Sequence, residues 1–275
     1  MNESTITIDG GAGTLECHVR GDGPAVVLLP SLGRGASDFD DLSVRLAEAG
    51  HRVIRPEPRG IGGSALGPDA ITMEDLADDV ARVIRTLVPE KQWGMTTVVG
   101  HAFGNRVTRM LATIHPELVD SVVLLACGGF VHPRPEIATA LAAVFDTTLD
   151  EQAHLDAVRT VFFAPGNDAT VWADGWYPRT AGVQTTATKT TSVDSWWSAG
   201  RADVLVVQPA DDAIAVPENA VRLVEVIGDR ARMVTIANAG HALLPEQPEI
   251  VAATVLSWIR ERMSRNTDGQ NQSSA

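Results

Sequence analysis

The chain has 275 residues, 44% of them hydrophobic, which is enough for one large globular domain with a sizeable core. Its 22 basic and 35 acidic residues give a formal net charge of −13, which argues against nucleic acid or an anionic membrane as a partner. The sequence shows neither a signal-peptide pattern nor an apolar stretch of the roughly 18–20 residues that cross a bilayer. We therefore expect a cytoplasmic protein that acts on a small molecule, and whether it forms a homodimer stays open.

The cysteines and the one glycine-rich run do not indicate a metal or cofactor site. Cys17 and Cys127 lie far apart and outside any Cys-x-x-Cys or Cys/His cluster, so neither a disulfide nor a structural zinc site is expected. Residues 10–13 read Gly-Gly-Ala-Gly, but they lack the Lys-Ser/Thr of a phosphate-binding loop and open no helix. We expect no bound metal and no cofactor.

Apolar periodicity and turn residues predict strands that alternate with helices along most of the chain. The predicted strands are 4–9, 14–20, 25–29, 52–55, 96–99, 121–126, 204–208 and 232–236. The predicted helices are 38–49, 72–87, 105–114, 218–227 and 248–263, and the second begins with Thr72 and Asp75 in capping-box spacing. This alternation, with several strands that are apolar throughout, predicts a doubly wound, mostly parallel sheet of the α/β class.

One segment, residues 130–200, interrupts the alternation because it contains no buried-strand run. It is rich in alanine, threonine and aromatic residues, and we interpret it as a helical cap inserted into the α/β core. The core would then comprise residues 1–129 and 201–265. Residues 266–275 are polar and are predicted to form a disordered tail.

The most informative motif is Gly100-His101-Ala102-Phe103-Gly104, between a predicted strand and a predicted helix. It resembles the nucleophile elbow of the α/β-hydrolases, Gly-x-Ser-x-Gly, in which glycines flank a sharply turned nucleophile. The resemblance implies the α/β-hydrolase fold, with the predicted insertion as its helical cap. Here alanine occupies the nucleophile position, and a methyl group cannot attack a carbonyl.

Two further loops resemble the family's acid and histidine loops and follow in the order expected of this fold. Residues 208–217 follow a predicted strand and place Asp212 at the acid position, although Pro209 replaces the usual glycine. Residues 239–248 read Ala-Gly-His-Ala-Leu-Leu-Pro-Glu-Gln-Pro and place His241 at the histidine position. The resemblance implies that Asp212 orients His241 and stabilises its protonated form. A turn that merely caps a helix is the alternative for the aspartate.

The resemblance also implies an oxyanion hole made of two backbone N–H groups. Phe103, which follows the elbow apex, should supply one, and Leu32, in the loop after the first buried strand, the other. We expect the substrate pocket to be lined by residues of the elbow, this loop and the cap: His101, Arg34, Trp172, Trp176, Trp196 and Trp197. Arg34 and Arg59 lie on loops at the same side of the sheet, where either could meet an anionic group or simply be solvated.

Three accounts of Ala102 stay open at the level of the sequence. In the first, the chain is an esterase or lactonase whose elbow serine is substituted or natively absent. In the second, His241 acts as a general base without a covalent intermediate, as in lyases and cofactor-free oxygenases of this fold. In the third, the protein binds a small molecule without catalysis. The complete Asp212–His241 pair favours an enzyme that hydrolyses a small, mostly apolar substrate.

Overall fold

The computed structural model describes the backbone of residues 2–68 and 70–272, and the side chains of these ranges up to residue 265. Eight strands form one sheet in the order β1-β2-β4-β3-β5-β6-β7-β8. The strands are β1 (Glu3–Asp9), β2 (Thr14–Arg20), β3 (Ala25–Leu29), β4 (Arg52–Pro56), β5 (Thr97–His101), β6 (Ser121–Leu125), β7 (Asp203–Pro209) and β8 (Ala231–Ile236). The mostly parallel sheet that the sequence predicts is confirmed.

Only the first two strands run antiparallel, with β1 pairing to β2 and β2 to β4. From β4 through β8 every neighbouring pair is parallel. All residues of β3, β5 and β6 are buried. Central parallel strands are apolar on both sides because helices cover both faces of the sheet.

The core helices are α1 (Asp40–Glu48), α2 (Met73–Leu87), α3 (Phe103–Ile114), α7 (Pro217–Ile227), α8 (Leu243–Glu246) and α9 (Pro248–Gln272). Apolar residues of α2, α3 and α7 form one core cluster with the sheet, and those of α1 and α9 form another. The carboxyl ends of the central strands therefore open between two helical layers, where ligands bind in sheets of this type.

Local signals placed the predicted elements to within a few residues, except for the end of the last helix. The capping box of α2 is confirmed, since the Asp75 amide donates to Thr72 Oγ1 and the Asp75 carboxylate accepts from the Thr72 amide. The predicted helix 38–49 begins instead as a 3-10 turn, Ala36–Phe39, that leads into α1. Helix α9 continues past the predicted end at Met263. The side chains of residues 266–272 and all of 273–275 lie outside the described part, so the disordered tail stays a prediction.

Between β6 and β7, residues 130–200 hold three helices, α4 (Pro135–Val144), α5 (Glu151–Phe162) and α6 (Pro178–Thr190), with short 3-10 turns after α5 and α6. No strand lies in this segment, which the structure describes throughout. We refer to it as the cap. A separate apolar cluster joins α4 and α5 to Trp172 and to Ala242 of the core. Among the described residues, no helix is both long and apolar enough to cross a bilayer.

Two glycines allow α3 to start directly against the sheet. A Cβ on Gly104 would lie 2.1 Å from the Leu29 carbonyl oxygen at the end of β3. A Cβ on Gly100 would lie 2.5 Å from the Asn105 backbone nitrogen. Heavy atoms cannot approach so closely, so both positions require glycine because of close backbone packing.

We expect Gly104→Ala to lower the free energy of unfolding by about 3 kcal/mol or more, because the methyl group would push α3 away from β3. Urea unfolding monitored by circular dichroism measures the change. Gly182→Ala is the matched control, because nothing lies within 4 Å of its added Cβ in α6. That variant should gain roughly 0.5–1 kcal/mol from helix propensity. Equal stability of the two variants would contradict the packing argument.

Candidate active site

The elbow turns sharply at Ala102, between the end of β5 and the start of α3. Ala102 has φ 50° and ψ −105°, in the left-handed half of the backbone map that residues other than glycine rarely occupy. The turn is fixed from both sides, since the Ala102 amide donates to the Leu125 carbonyl at 2.9 Å and the Ala102 carbonyl accepts from the Asn105 amide at 3.2 Å. The backbone geometry of a nucleophile elbow is therefore present, although its apex carries only a methyl group.

A histidine and a carboxylate meet at the ends of the last two strands. His241 follows β8, Asp212 follows β7, and His241 Nδ1 lies 3.0 and 2.9 Å from the two Asp212 carboxylate oxygens. Both side chains are almost entirely buried. Asp212 Oδ1 also accepts the amide N–H groups of Ile214 and Ala215, at 2.9 and 2.8 Å, which fixes the carboxylate.

The aspartate determines which nitrogen of His241 is free to act. Because a carboxylate only accepts hydrogen bonds, a neutral His241 must carry its proton on Nδ1, and Nε2 then presents a lone pair. Nε2 has no hydrogen-bond partner among the described residues. A nitrogen in this state can take a proton from water or from a substrate.

The loop that carries His241 is joined to the cap through Glu246. The Glu246 carboxylate accepts from the amides of Gly240 and Ala164, each at 2.7 Å, and from Asn167 Nδ2 at 2.6 Å. Burial raises the pKa of this carboxyl against the effect of its three donors. The histidine loop and the end of α5 therefore hold each other in place.

His101 lies beneath His241. Its Nε2 is 2.8 Å from the His241 carbonyl oxygen, so Nε2 carries a hydrogen and donates it. The two rings are 5.2 Å apart, and burial lowers the pKa of His101 to about 3. His101 is therefore neutral near pH 7 and supports the backbone of His241, away from the pocket in which the sequence placed it.

Two unpaired backbone N–H groups flank the elbow. Neither the Leu32 amide nor the Phe103 amide has a hydrogen-bond partner within the described part of the chain, and both residues line the same cavity as Ala102. Phe103 is the first residue of α3, so its amide belongs to the positive end of the helix. Amides in this arrangement can stabilise an oxyanion.

The cavity has a volume of about 530 Å³, within the range of small-molecule sites. Ala102 and His241 both line it, and an apolar wall comes from both core and cap: Phe130, Leu141, Phe145, Phe162 and Ile214. Its cationic side chains are Arg106 and Lys189, and His132 also lines it. Among the described residues, no carboxylate side chain lines the cavity.

The tryptophans predicted for the pocket are divided between two places. Trp196 lines the cavity, whereas Trp197 packs edge-on against Phe130, with ring centroids 4.7 Å apart. The Arg34 guanidinium packs against both Trp172 and Trp176, in the corner that their nearly perpendicular rings form, with its carbon 4.5 and 4.4 Å from the two ring centroids.

The two loop arginines are likewise used inside the fold. Arg34 donates to the Asp38 carboxylate, with Nε 2.9 Å from Oδ2, and to the Asp174 carbonyl at 2.6 Å. Arg59 donates through Nη2 to Asp79 at 3.0 Å. Both arginines are buried. Arg34, with the two tryptophans that pack against it, lies outside the lining of this cavity and fastens the cap to the core.

Arg106 is a cavity residue that was not predicted from the sequence. This arginine lies one helical turn after Ala102, and that spacing places both on one side of α3. The signal was available in the sequence, but a lone arginine in a predicted amphipathic helix is ordinarily exposed. Here it lines the cavity.

One cluster of possible metal ligands lies at the antiparallel edge of the sheet. The side chains of Glu16, His18 and Glu57 bring one ligand atom each within 4.8 Å of the others. His18 Nε2 is 3.6 and 3.3 Å from the two carboxylates, an arrangement that ion pairing alone accounts for. None of the three lines the cavity of Ala102.

The alpha/beta hydrolase fold profile matches residues 24–248, and the chain belongs to this family. A 2-(acetamidomethylene)succinate hydrolase of Mesorhizobium japonicum is 32% identical over 118 residues, 43% of this chain and 41% of that protein. An AB hydrolase superfamily protein of Bacillus subtilis is 31% identical over 128 residues, 46% of this chain and 42% of that protein. The chain thus spans about two fifths of the length of these relatives. The enol-lactonase of Burkholderia xenovorans superimposes with a TM-score of 0.77 at 21% identity, covering 93% of this chain and all of that one.

The depressed pKa of His101 gives a stability test. Because the folded protein resists protonation of His101 until about pH 3, its contribution to stability is fully present above the ordinary pKa of about 6.5 and is lost as the pH falls. Between pH 6.5 and pH 4 this loss should be on the order of 3 kcal/mol.

Urea unfolding across this pH range measures it. His101→Gln keeps an N–H donor and should make the free energy of unfolding less dependent on pH below 6.5. The control His132→Gln, at an exposed histidine, should not change that dependence. A profile that His101→Gln leaves unchanged would show that His101 is protonated normally in the folded protein.

Proposed function

We propose that this protein hydrolyses an ester or lactone bond in a small, mostly apolar substrate, with His241 as the general base that activates water. The observation that carries the proposal is the convergence of three features on one cavity: His241 held by Asp212, two unpaired amides and the elbow at Ala102. Because Ala102 has no side-chain oxygen, the attacking oxygen is that of water.

The reaction that follows uses groups in the described part of the chain. Water attacks the substrate carbonyl carbon while one of its protons passes to His241 Nε2. The oxygen of the tetrahedral intermediate accepts hydrogen bonds from the amides of Leu32 and Phe103. The carbon–oxygen bond to the leaving group then breaks, and His241 returns the proton to that oxygen. An ester yields an acid and an alcohol, and a lactone yields a single hydroxy acid.

Asp212 makes this cycle favourable in two ways. It holds the Nδ1 proton, so that Nε2 points its lone pair toward the cavity, and it stabilises the imidazolium while the proton resides there. His101 and Glu246 position the same histidine through its backbone and its loop. The names of the relatives, a hydrolase of an amide-bearing succinate and an enol-lactonase, support hydrolysis of a carbonyl compound.

Replacing Ala102 by serine tests the elbow. The other parts of a serine hydrolase site are in place, so the Ala102→Ser variant should react covalently with a fluorophosphonate probe and hydrolyse p-nitrophenyl acetate roughly 100-fold faster than the parent chain. Intact-protein mass spectrometry measures labelling. The double variant Ala102→Ser with His241→Asn is the control and should stay unlabelled. If a folded Ala102→Ser protein gives no adduct, the elbow does not present its side chain to the cavity.

Replacing His241 in the parent chain tests the base. His241→Asn should lower the turnover of an ester or lactone substrate by roughly 100- to 10,000-fold. Binding of 4-phenylbutanamide, an amide that is not expected to be hydrolysed, should change by less than about threefold when measured by calorimetry, because the apolar wall of the cavity is unaltered. A variant that keeps full turnover would show that His241 is not the base. A parent that performs elimination or oxygenation, but no hydrolysis, would favour a lyase or a cofactor-free oxygenase, and a parent that binds the amide but turns over no substrate would favour a binding protein.

A further inference from the structure

Arg106 is half-buried in the cavity lining, and unlike most of the buried arginines it has no carboxylate partner among the described residues. Arg34 pairs with Asp38, Arg59 with Asp79, and Arg55 with Asp40 and Glu3. Within the described part of the chain, Arg106 forms no ion pair and no hydrogen bond. Taking a guanidinium even partly out of water without a partner costs free energy, and pairing with a carboxylate offsets that cost for the buried arginines.

The described residues around Arg106 supply no counter-ion. Its Nη2 lies near Gly128, and its guanidinium carbon is 5.9 Å from the Trp196 ring centroid. Burial lowers the pKa of Arg106, and the one neighbouring group that opposes this is Cys127. Burial raises the pKa of that thiol, so Cys127 is uncharged near neutral pH.

A second arginine strengthens the positive field. Arg109 follows one turn later on α3, and its Nη2 donates to neutral acceptors, Asn105 Oδ1 at 2.8 Å and the Gly128 carbonyl at 2.7 Å, while its buried Nη1 has no partner among the described residues. Arg109 therefore keeps its full charge behind Arg106. In a chain of net charge −13, this cavity has cationic side chains and no described carboxylate in its lining.

We propose that Arg106 binds a carboxylate of the substrate, so that the site takes an ester or lactone that also carries an anionic group. The planar guanidinium fork matches a carboxylate in two parallel hydrogen bonds. Its place one turn after Ala102 sets that carboxylate on the α3 side of the cavity, while the apolar wall holds the rest of the molecule. The inference rests on the proposed function, because it names the class of ester or lactone that the site takes.

The test compares two ligands of equal size that differ in charge, 4-phenylbutanoate and 4-phenylbutanamide, by calorimetry on the parent chain. The acid should bind about tenfold more tightly than the amide. Arg106→Gln should reduce this preference to within about twofold, and Arg106→Lys should retain part of it. Arg45→Gln removes the same charge from the exposed face of α1 and should leave the preference unchanged.

Each outcome separates this inference from the proposed function. Equal affinities of the parent for acid and amide, or a preference that Arg106→Gln leaves intact, would overturn it even if esters are hydrolysed. If Arg106→Gln fails to fold, the affinities of the parent and of Arg106→Lys for the acid and the amide still test the inference. A parent that prefers the acid but hydrolyses no ester or lactone overturns the proposed function and leaves the anion site standing.

Discussion

The left-handed turn at Ala102 is the constraint on which the arrangement of the site depends. A residue other than glycine held in this region costs on the order of 1–3 kcal/mol, so its surroundings must enforce the conformation. They do so through Gly104 packed on β3, and through Asn105, whose side-chain amide donates to the carbonyls of Leu125 and Ala126. Ala126 has a positive φ of 56° as well. The chain thus turns sharply after β5 and again after β6, and the cavity opens above these two turns.

A network of hydrogen bonds positions His241 relative to this turn. His101, the last residue of β5, donates to the backbone of His241, while Asp212 holds the ring and Glu246 holds the loop. Three strands and the cap therefore contribute to the position of one imidazole. Because these groups are mostly buried, each hydrogen bond is shielded from competition by water, and the loss of one partner leaves another buried and unpaired.

The elements that carry the site were predictable because each signal is local. An apolar run, a glycine turn and a helix start lie within about ten residues at the elbow, and the Asp212 and His241 loops likewise follow directly from strands. The cap contacts were not predictable, since they depend on how three helices pack over the sheet. Trp172 and Trp176 illustrate this. The abundance of tryptophan in one insertion predicted a pocket wall, whereas these two side chains pack against Arg34. Arg106 shows the converse, since its spacing from Ala102 was visible but its missing carboxylate partner was not.

Hydrolysis by activated water without a covalent intermediate can be tested by rapid-quench mass spectrometry of the intact parent chain. During turnover of p-nitrophenyl butanoate, nitrophenolate should accumulate over several turnovers while the protein mass stays unchanged. An acyl adduct that forms and decays at the rate of turnover would show a nucleophile elsewhere in the cavity, with Ser31, which lines it, the first residue to examine. Either that adduct or the absence of any turnover of esters and lactones would contradict the account.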